Sequence, residues 1–271
     1  MTRYLFVAIA NAIIGFVLFR GLYLRSRTAC LRAALVMVAF VLATPAVLFS
    51  SNYLLHIPYE NCWFVNFHTL PGIEASSGLV GALLGVMFAS ARLRPRRLNT
   101  PVLTISSAVA LMLLVAPFGK QILYRQDYSE LENRWRNGVC QQTSPSTCVP
   151  ASCATVIRLF GGSVTERELA REAGTNRRGT EIWYMMRAMH GHGYEMEVRV
   201  AQSLKDAPTP SILGVMVGSA GHVVVLMSKT DAGPEIGDPL GPRRRCTWKA
   251  FERTYHPKLV YCVIRPLAGR M

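Results

Sequence analysis

The stretch "QQTSPSTCVPASCATVIRLFGG", residues 141–162, places two cysteines at the start of one predicted helix. We expect the helix to begin near Cys148, with Pro150 in its first turn, where a missing N–H does no harm. Cys153 falls on the apolar face, about 140° around the helix axis from Cys148. Cys148 lies at the N-terminus instead, where free backbone N–H groups and the helix dipole favour a thiolate. We therefore predict that Cys148 is a nucleophile and that Cys153 is a core residue.

A thiolate nucleophile needs a general base and a group that orients the base. The segment "SILGVMVGSAGHVVVLMSKT" predicts two strands around a glycine-rich turn, with His222 at the entrance to the second strand. The segment "EIGDPLG" places Asp238 at a strand end, where it can meet His222 across a sheet edge. Gln142 can supply the side-chain half of an oxyanion hole, and the Cys148 N–H can supply the other half. Each residue alone also fits an ordinary structural role, but their joint order favours a catalytic site.

The composition divides the chain into two parts. With 30 Lys and Arg against 16 Asp and Glu, the chain has a formal net charge of +14 and yet a mean hydropathy of +0.24. That combination is uncommon in a simple cytosolic domain. Residues 1–118 are apolar apart from arginine clusters, whereas residues 119–271 contain every lysine and most of the carboxylates. We expect a membrane region followed by one soluble domain that is large enough for its own core.

Four stretches without charged side chains predict an all-α transmembrane region, since a helix needs about 20 apolar residues to cross a hydrocarbon core. The first stretch is short, but it runs directly into Arg20 without an A-x-A-like cleavage site at its C-terminal end, and further spans follow. We therefore expect a retained helix rather than a cleaved signal peptide. The four predicted spans are Tyr4–Phe19, Ala33–Ser50, Ala75–Ala91 and Pro101–Phe118.

The placement of arginines predicts how these spans are oriented. The first and third connections are rich in arginine, whereas the second, residues 51–74, contains no lysine or arginine. By the positive-inside rule, the second connection and the C-terminal domain then lie outside the cytoplasm, in a multi-pass protein of the plasma (inner) membrane. The expected boundaries are a transmembrane region at 1–120, a polar stalk with possible helical character at 121–138 and a soluble domain at 139–271.

Four pieces of the C-terminal domain resemble the bacteriocin-processing cysteine peptidases, family thirty-nine of the papain-like clan, whose members cut leader peptides after a double glycine. The pieces are "QTSPSTCVPASCATVIRLFGG", "GTEIWYMMRAMHGHGYE", "GHVVVLM" and "GDPLG". The resemblance implies an α+β papain-like fold in which Cys148 is the nucleophile and His222 its base. It also implies that Asp238 orients the base and that Gln142 donates to the oxyanion. One departure is Val149, which stands where many members have glycine.

The sequence therefore predicts a membrane-anchored cysteine endopeptidase with a peptide or protein substrate. Cleavage after Gly-Gly rests on the resemblance. The chain contains no G-x-x-x-x-G-K-[ST] phosphate loop, so an exporter would be a separate partner. Two alternatives use the same fold: a receptor that binds a peptide or leader without turnover, and a papain-like thiol acyltransferase. The combination of Cys, His, Asp and Gln argues against binding alone, because binding needs none of that constellation.

Two other groups of residues receive structural interpretations. His56, Cys62 and His68 in the second connection fit no strong metal-ligand spacing, so packing at the membrane interface is favoured and no metal or other cofactor is assigned. Three adjacent arginines at 243–245 favour contact with anionic headgroups of the lipid bilayer, and no nucleic-acid partner is expected.

Five cysteines lie in the C-terminal domain, an odd number that leaves one free thiol outside the cytoplasm if the others pair. The free thiol is predicted to be Cys148. Three pairings of Cys140, Cys153, Cys246 and Cys262 are open, and Cys246 with Cys262 is weakly favoured because both lie in the final helix–strand unit. A cytoplasmic domain would instead keep all five reduced.

Overall fold

The computed structural model describes residues 2–55, 62–93 and 99–268. The chain divides into two compact units. The first unit is formed by Met1–Ile57 and Leu70–Ile122, and the second by Pro58–Thr69 and Leu123–Met271. The second unit therefore takes residues both from the connection between the second and third predicted spans and from the C-terminal domain.

Long apolar helices make up the first unit. Four segments in the described part of the chain are long and apolar enough to cross a membrane, in agreement with the four predicted spans. Each segment extends beyond its charge-free stretch, because the helices continue through flanking polar and charged residues. The helices of this unit are α1 (Thr2–Arg25), α2 (Ala29–Leu55), α4 (Val80–Arg92, preceded by a 3-10 helix at Ile73–Leu79) and α5 (Asn99–Leu123).

Glycines bring α1 and α4 into backbone contact. A Cβ atom added at Gly81 would overlap the carbonyl oxygen of Ala12. One added at Gly85 would overlap that of Phe16. Only glycine permits so close an approach, and small residues of this kind are typical of helix contacts in membranes, where apolar burial gives little driving force between helices. The first predicted span is thus packed into the helical unit.

The second unit is built on a six-stranded antiparallel sheet with the strand order β3-β8-β4-β5-β6-β7. The two strands that were predicted around the glycine-rich turn are present and pair with each other. The strands are β3 (Tyr194–Val200), β4 (Ser211–Val217), β5 (Ala220–Lys229), β6 (Pro234–Gly237), β7 (Arg244–Arg245) and β8 (Val260–Pro266), and a separate pair is formed by β1 (Arg134–Arg136) and β2 (Val139–Gln141).

Helices cover the sheet. Phe251 packs with Leu213 and Val224 in one apolar cluster on one face. Ile212 and Val225, which alternate with those strand residues, are buried as well, and α6 contacts both β4 and β5. The unit is therefore an α+β domain, as predicted, and its core lies on both faces of the sheet. Its helices are α6 (Cys148–Leu159), α7 (Glu166–Glu172), α8 (Ile182–Gly191) and α9 (Trp248–Tyr255).

The connection between the second and third predicted spans adds a further helix to this unit, α3 (Cys62–His68), which contacts α8 and β3. His68 is fully buried, and its ring centroid lies 5.0 Å from that of Trp183. Arg187 Nε donates a hydrogen bond of 3.0 Å to the carbonyl of Thr69. His68 therefore has a packing role, but against α8 of the C-terminal domain. His56 and the side chain of Cys62 lie outside the described residues.

The segment predicted as a stalk is packed onto the second unit from Leu123 onward. It contains a 3-10 turn at Tyr128–Glu130 and strand β1, rather than a long helix. Leu131 is buried, and its carbonyl accepts a hydrogen bond of 2.8 Å from Arg167 Nε. The Tyr128 hydroxyl donates to the carbonyl of Thr175 at 2.9 Å. A buried leucine within a polar sequence thus holds this segment against α7.

Candidate active site

The site begins at the N-terminus of α6. Cys148 is the first residue of the helix, as the sequence predicted. Its side chain is partly exposed, whereas Cys153 is fully buried. Thr147, the N-cap, does not cap the helix with its side chain; its hydroxyl donates to the carbonyl of Ser144 at 2.9 Å. The first N–H groups of the helix therefore remain available beside the Cys148 thiol.

His222 and Asp238 meet at the ends of neighbouring strands. His222 lies near the start of β5, and Asp238 directly follows β6, which pairs with β5 so that Val225 is opposite Gly237. The His222 Nε2 atom lies 2.9 Å from Asp238 Oδ1, and both side chains are buried. Because a carboxylate only accepts hydrogen bonds, Nε2 carries the hydrogen. The other ring nitrogen is then left for the Cys148 thiol, whose proximity contributes to the raised pKa of His222.

The surroundings of His222 and Asp238 favour the charged form of each side chain. Burial lowers the pKa of His222, but the hydrogen bonds to Asp238 and Cys148 outweigh burial and raise this pKa to about 9. Burial alone would raise the pKa of Asp238, but hydrogen bonds from His222, the Leu240 N–H and Tyr255 lower it below its ordinary value. At neutral pH the histidine is therefore a cation held by an anion, and it can stabilise a thiolate.

Gln142 is tied to the same turn of the chain as Asp238. Its main-chain N–H donates to the carbonyl of Pro239 at 3.0 Å, and its side-chain Nε2 donates to the carbonyl of Ser144 at 2.9 Å. The neighbouring Gln141 reinforces this contact by donating from Nε2 to the carbonyl of Gly241 at 3.1 Å. An amide nitrogen has two hydrogens, so Gln142 keeps one for a further acceptor.

Tyr255 belongs to the site, although no sequence motif predicts it. Its hydroxyl donates to Asp238 Oδ2 at 2.8 Å, while the Leu240 N–H donates to Oδ1 at 2.9 Å. Together with His222, these donors satisfy the buried carboxylate from three directions. Helical spacing from Trp248 does predict that Tyr255 is buried. It does not predict the partner, which lies 17 residues away in the chain.

The favoured disulfide between Cys246 and Cys262 is wrong, because the two residues lie far apart in the sheet. Cys262 lies on β8, whereas Cys246 follows β7, four strands away in the sheet. At about 4.8 Å per strand they are separated by roughly 19 Å, far beyond the Cα separation of about 7 Å that a disulfide tolerates.

Burial raises the pKa of Cys140 to about 12 and raises that of Cys153 as well, so these thiols are poor nucleophiles.

The three adjacent arginines are partly engaged within the domain. Arg243 Nε and Arg245 Nε both donate to Glu235 Oε1, at 2.9 and 3.1 Å. The bond from Arg243, with others from Ser228 and Arg245, lowers the pKa of Glu235 to about 2. In the described part of the chain, no group of three or more His, Cys, Asp and Glu residues is arranged to hold a metal ion.

Comparison with known proteins identifies the C-terminal domain. The model of the family described as "Peptidase C39 family" matches residues 136–266, a range that contains all four predicted site residues. Through this domain, the chain belongs to the peptidase C39 family. An uncharacterized protein of Methanothermobacter thermautotrophicus is 31% identical over 117 residues, which is 43% of this chain and 82% of that protein. A second uncharacterized protein, from Methanothermobacter marburgensis, is 30% identical over 117 residues, which is again 43% of this chain and 82% of that protein.

The C39 domain is also similar to solved peptidase domains. One is the peptidase domain of Streptococcus ComA, described as a bifunctional ABC transporter involved in quorum sensing. It is 22% identical with a TM-score of 0.42, and the match covers 46% of this chain and 96% of that one. Another is a double glycine motif protease from an AMS/PCAT transporter, solved in complex with the leader peptide. It is 21% identical with a TM-score of 0.42, and the match covers 50% of this chain and 97% of that one.

Proposed function

We propose that this protein is a membrane-anchored cysteine endopeptidase in which Cys148 is the nucleophile and His222 the base. The observation that carries the proposal is the buried 2.9 Å hydrogen bond between His222 and Asp238, with the Cys148 thiol of the α6 N-terminus as the other neighbour of His222, in a domain of the C39 family. A buried histidine that needed only a structural partner would require no thiol at a helix N-terminus on its other side.

In the first half of the reaction the Cys148 thiolate attacks the carbonyl carbon of the peptide bond. The Cys148 N–H and the Gln142 amide stabilise the oxyanion of the tetrahedral intermediate. As the C–N bond breaks, the His222 imidazolium gives its proton to the leaving amine, and a thioester remains on Cys148. Asp238 holds the imidazole ring in the required orientation throughout.

In the second half a water molecule replaces the amine. The neutral His222 imidazole takes a proton from the water as it attacks the thioester carbonyl, and the same oxyanion donors act again. Collapse of this intermediate releases the carboxylate product and restores the pair of thiolate and imidazolium. Because the pKa of His222 is raised to about 9, the histidine recovers its proton readily at neutral pH.

The proposed substrate is a leader peptide that is cut after a double glycine. This specificity follows from the resemblance of the C-terminal pieces to bacteriocin-processing peptidases, and a separate exporter is the corresponding partner. The four long apolar helices would anchor the enzyme in the plasma membrane. Packing of α3 on the C39 domain supports placing the domain outside the cytoplasm, because α3 lies in the connection that lacks lysine and arginine.

The test is cleavage of synthetic peptides by the purified full-length protein in detergent, followed by mass spectrometry. The peptides carry Gly-Gly at the centre, and matched peptides carry Ala-Ala. We expect products cut after Gly-Gly, and a loss of at least about a thousandfold in rate for Cys148→Ala and His222→Ala. Cys30→Ala, which removes an exposed thiol on α2 outside the C39 domain, should keep full activity.

Other outcomes would contradict the proposal in recognisable ways. Cleavage that survives in Cys148→Ala would exclude this nucleophile. Saturable binding of a Gly-Gly peptide without any product would indicate a receptor. Transfer of the acyl group to an added amine or thiol, with no hydrolysis product in its absence, would indicate an acyltransferase.

A further inference from the structure

Glu166 is a fully buried carboxylate that the proposed reaction does not use. The sequence offers two overlapping capping boxes at the start of α7, Ser163 with Glu166 and Thr165 with Glu168. The structure contains the second, with Thr165 as the N-cap and both reciprocal hydrogen bonds. Glu166 is thereby left to point away from its own helix end, toward the loop that precedes Cys148.

The Glu166 carboxylate holds Thr143 by two hydrogen bonds. Oε1 accepts from the Thr143 main-chain N–H at 2.9 Å, and Oε2 accepts from the Thr143 hydroxyl at 2.8 Å. The Thr147 hydroxyl, in the residue before the nucleophile, is a further donor beside the carboxylate, so its one hydrogen is shared between Glu166 and the Ser144 carbonyl. One buried side chain therefore fixes both ends of the loop at 143–147, which connects Gln142 to Cys148.

The loop is also closed within itself. The Ser144 N–H donates to Thr147 Oγ1 at 3.2 Å, and Thr147 Oγ1 donates to the Ser144 carbonyl at 2.9 Å. That same carbonyl accepts from Gln142 Nε2. Any shift of Thr143 or Thr147 would consequently move the amide of Gln142 relative to the Cys148 N–H, which is the geometry that an oxyanion hole depends on.

We propose that Glu166 is a positioning residue that keeps the oxyanion-binding amide of Gln142 in register with Cys148. This inference rests on the proposed function. A carboxylate suits the task because it accepts several hydrogen bonds on two oxygens, whereas an amide in its place has one acceptor oxygen.

Burial raises the pKa of Glu166, and the charge of Glu132 raises it further, against the hydrogen bonds from Thr147 and Thr143. The other titratable group that faces the carboxylate is the buried Cys140 thiol. Glu166 therefore takes up a proton at a higher pH than an ordinary glutamate, and protonation would loosen the loop as the pH falls.

The experiment compares two reactions of Cys148 in the full-length protein. Iodoacetamide alkylates a thiolate without forming an oxyanion, whereas N-acetyl-glycyl-glycine p-nitrophenyl ester acylates it through a tetrahedral oxyanion. For Glu166→Gln we expect acylation to slow by about tenfold to a hundredfold, with alkylation within about twofold of the wild type. The acid limb of the acylation rate should shift or disappear in this variant. Glu168→Gln is the matched control, since glutamine preserves the capping box and both rates should stay unchanged.

Two further variants make the result specific. In a Gln142→Ala background, Glu166→Gln should slow acylation no further, because the group it positions is gone. Thr143→Val keeps the main-chain bond to Glu166 and removes the two bonds of the hydroxyl, to Glu166 and from the Glu132 N–H. It should have a smaller effect on acylation in the same direction, and it serves if Glu166→Gln does not fold. Amide hydrogen exchange at 142–147 should be faster in Glu166→Gln than in Glu168→Gln.

The contradicting results are distinct. Equal loss of alkylation and acylation in Glu166→Gln, or unchanged acylation, would overturn the positioning role. A wild-type protein that is alkylated at Cys148 but never acylated would overturn the proposed function, and the role of Glu166 would fall with it.

Discussion

The residues around His222 determine the pH range in which the site is charged. The pKa of His222 is raised from 6.5 to about 9, so its ion pairing stabilises the fold fully below about pH 6.5 and is lost as the pH rises through 9. The pKa of Asp238 is lowered below 3.8, so its contribution is present above that pH and is lost as the pH falls further. The site is therefore intact from weakly acidic to weakly alkaline conditions.

Tyr255→Phe should destabilise the domain, because it leaves Asp238 Oδ2 buried with one donor fewer. Hydrogen bonds to charged groups contribute about 1.5–3 kcal/mol, and we expect a loss of that order in the free energy of unfolding. Thermal unfolding of the full-length protein in detergent measures the change. In an Asp238→Ala background the same substitution should cost little more, whereas full additivity would show that Tyr255 acts independently of the carboxylate.

The site residues that could be predicted from the sequence are those whose residue type and position at an element end indicate their chemistry. Cys148 follows a loop and opens a helix, His222 opens a strand and Asp238 ends one, so their order and local setting identified them as candidates. Tyr255 and Glu166 lie 17 and 23 residues from their partners, and their contacts arise from packing. No local pattern distinguishes such a residue from an ordinary core tyrosine or a capping glutamate.

Among the elements, the contact between α1 and α4 is the most sensitive to a single atom. Gly81→Ala should force the helices apart, because the added Cβ would overlap the Ala12 carbonyl, a backbone atom that cannot move alone. We expect a lower melting temperature of the full-length protein in detergent. The control is Gly119→Ala on α5, where a Cβ meets nothing within 4 Å and the substitution favours the helix. Equal effects of both substitutions would contradict this packing.

Elements with a strong periodic pattern were predicted well, and elements defined by long-range contacts were not. Strands β4 and β5 follow from apolar runs around a glycine-rich turn, and the start of α6 follows from helix-end signals, whereas β7 consists of two exposed arginines without such a pattern. Helix α3 looked like an interfacial loop, because its aromatic residues suit a membrane surface as well as a protein core. The segment at 121–138 looked like a stalk, because one buried residue, Leu131, determines where it packs.

For the whole molecule, α3 is the feature that bears on topology. It lies between two predicted spans and yet packs in the same unit as the C39 domain. If those spans cross the bilayer, α3 and the domain lie on one side of it. The arginine-rich connections then lie on the other side, which the positive-inside rule assigns to the cytoplasm.

The most direct measurement is alkylation of cysteines by a membrane-impermeant maleimide in intact spheroplasts and after lysis, with each site located by mass spectrometry. The proposed site predicts that Cys148 is labelled before lysis and that its reactivity depends on His222. In His222→Ala, labelling at pH 6 should be at least about tenfold slower, as for an ordinary thiol.

Cys30, exposed beside the first arginine-rich connection, is the internal control and should be labelled only after lysis. Labelling of Cys148 at the same rate in both variants would contradict the activated pair, and labelling only after lysis would contradict the external placement.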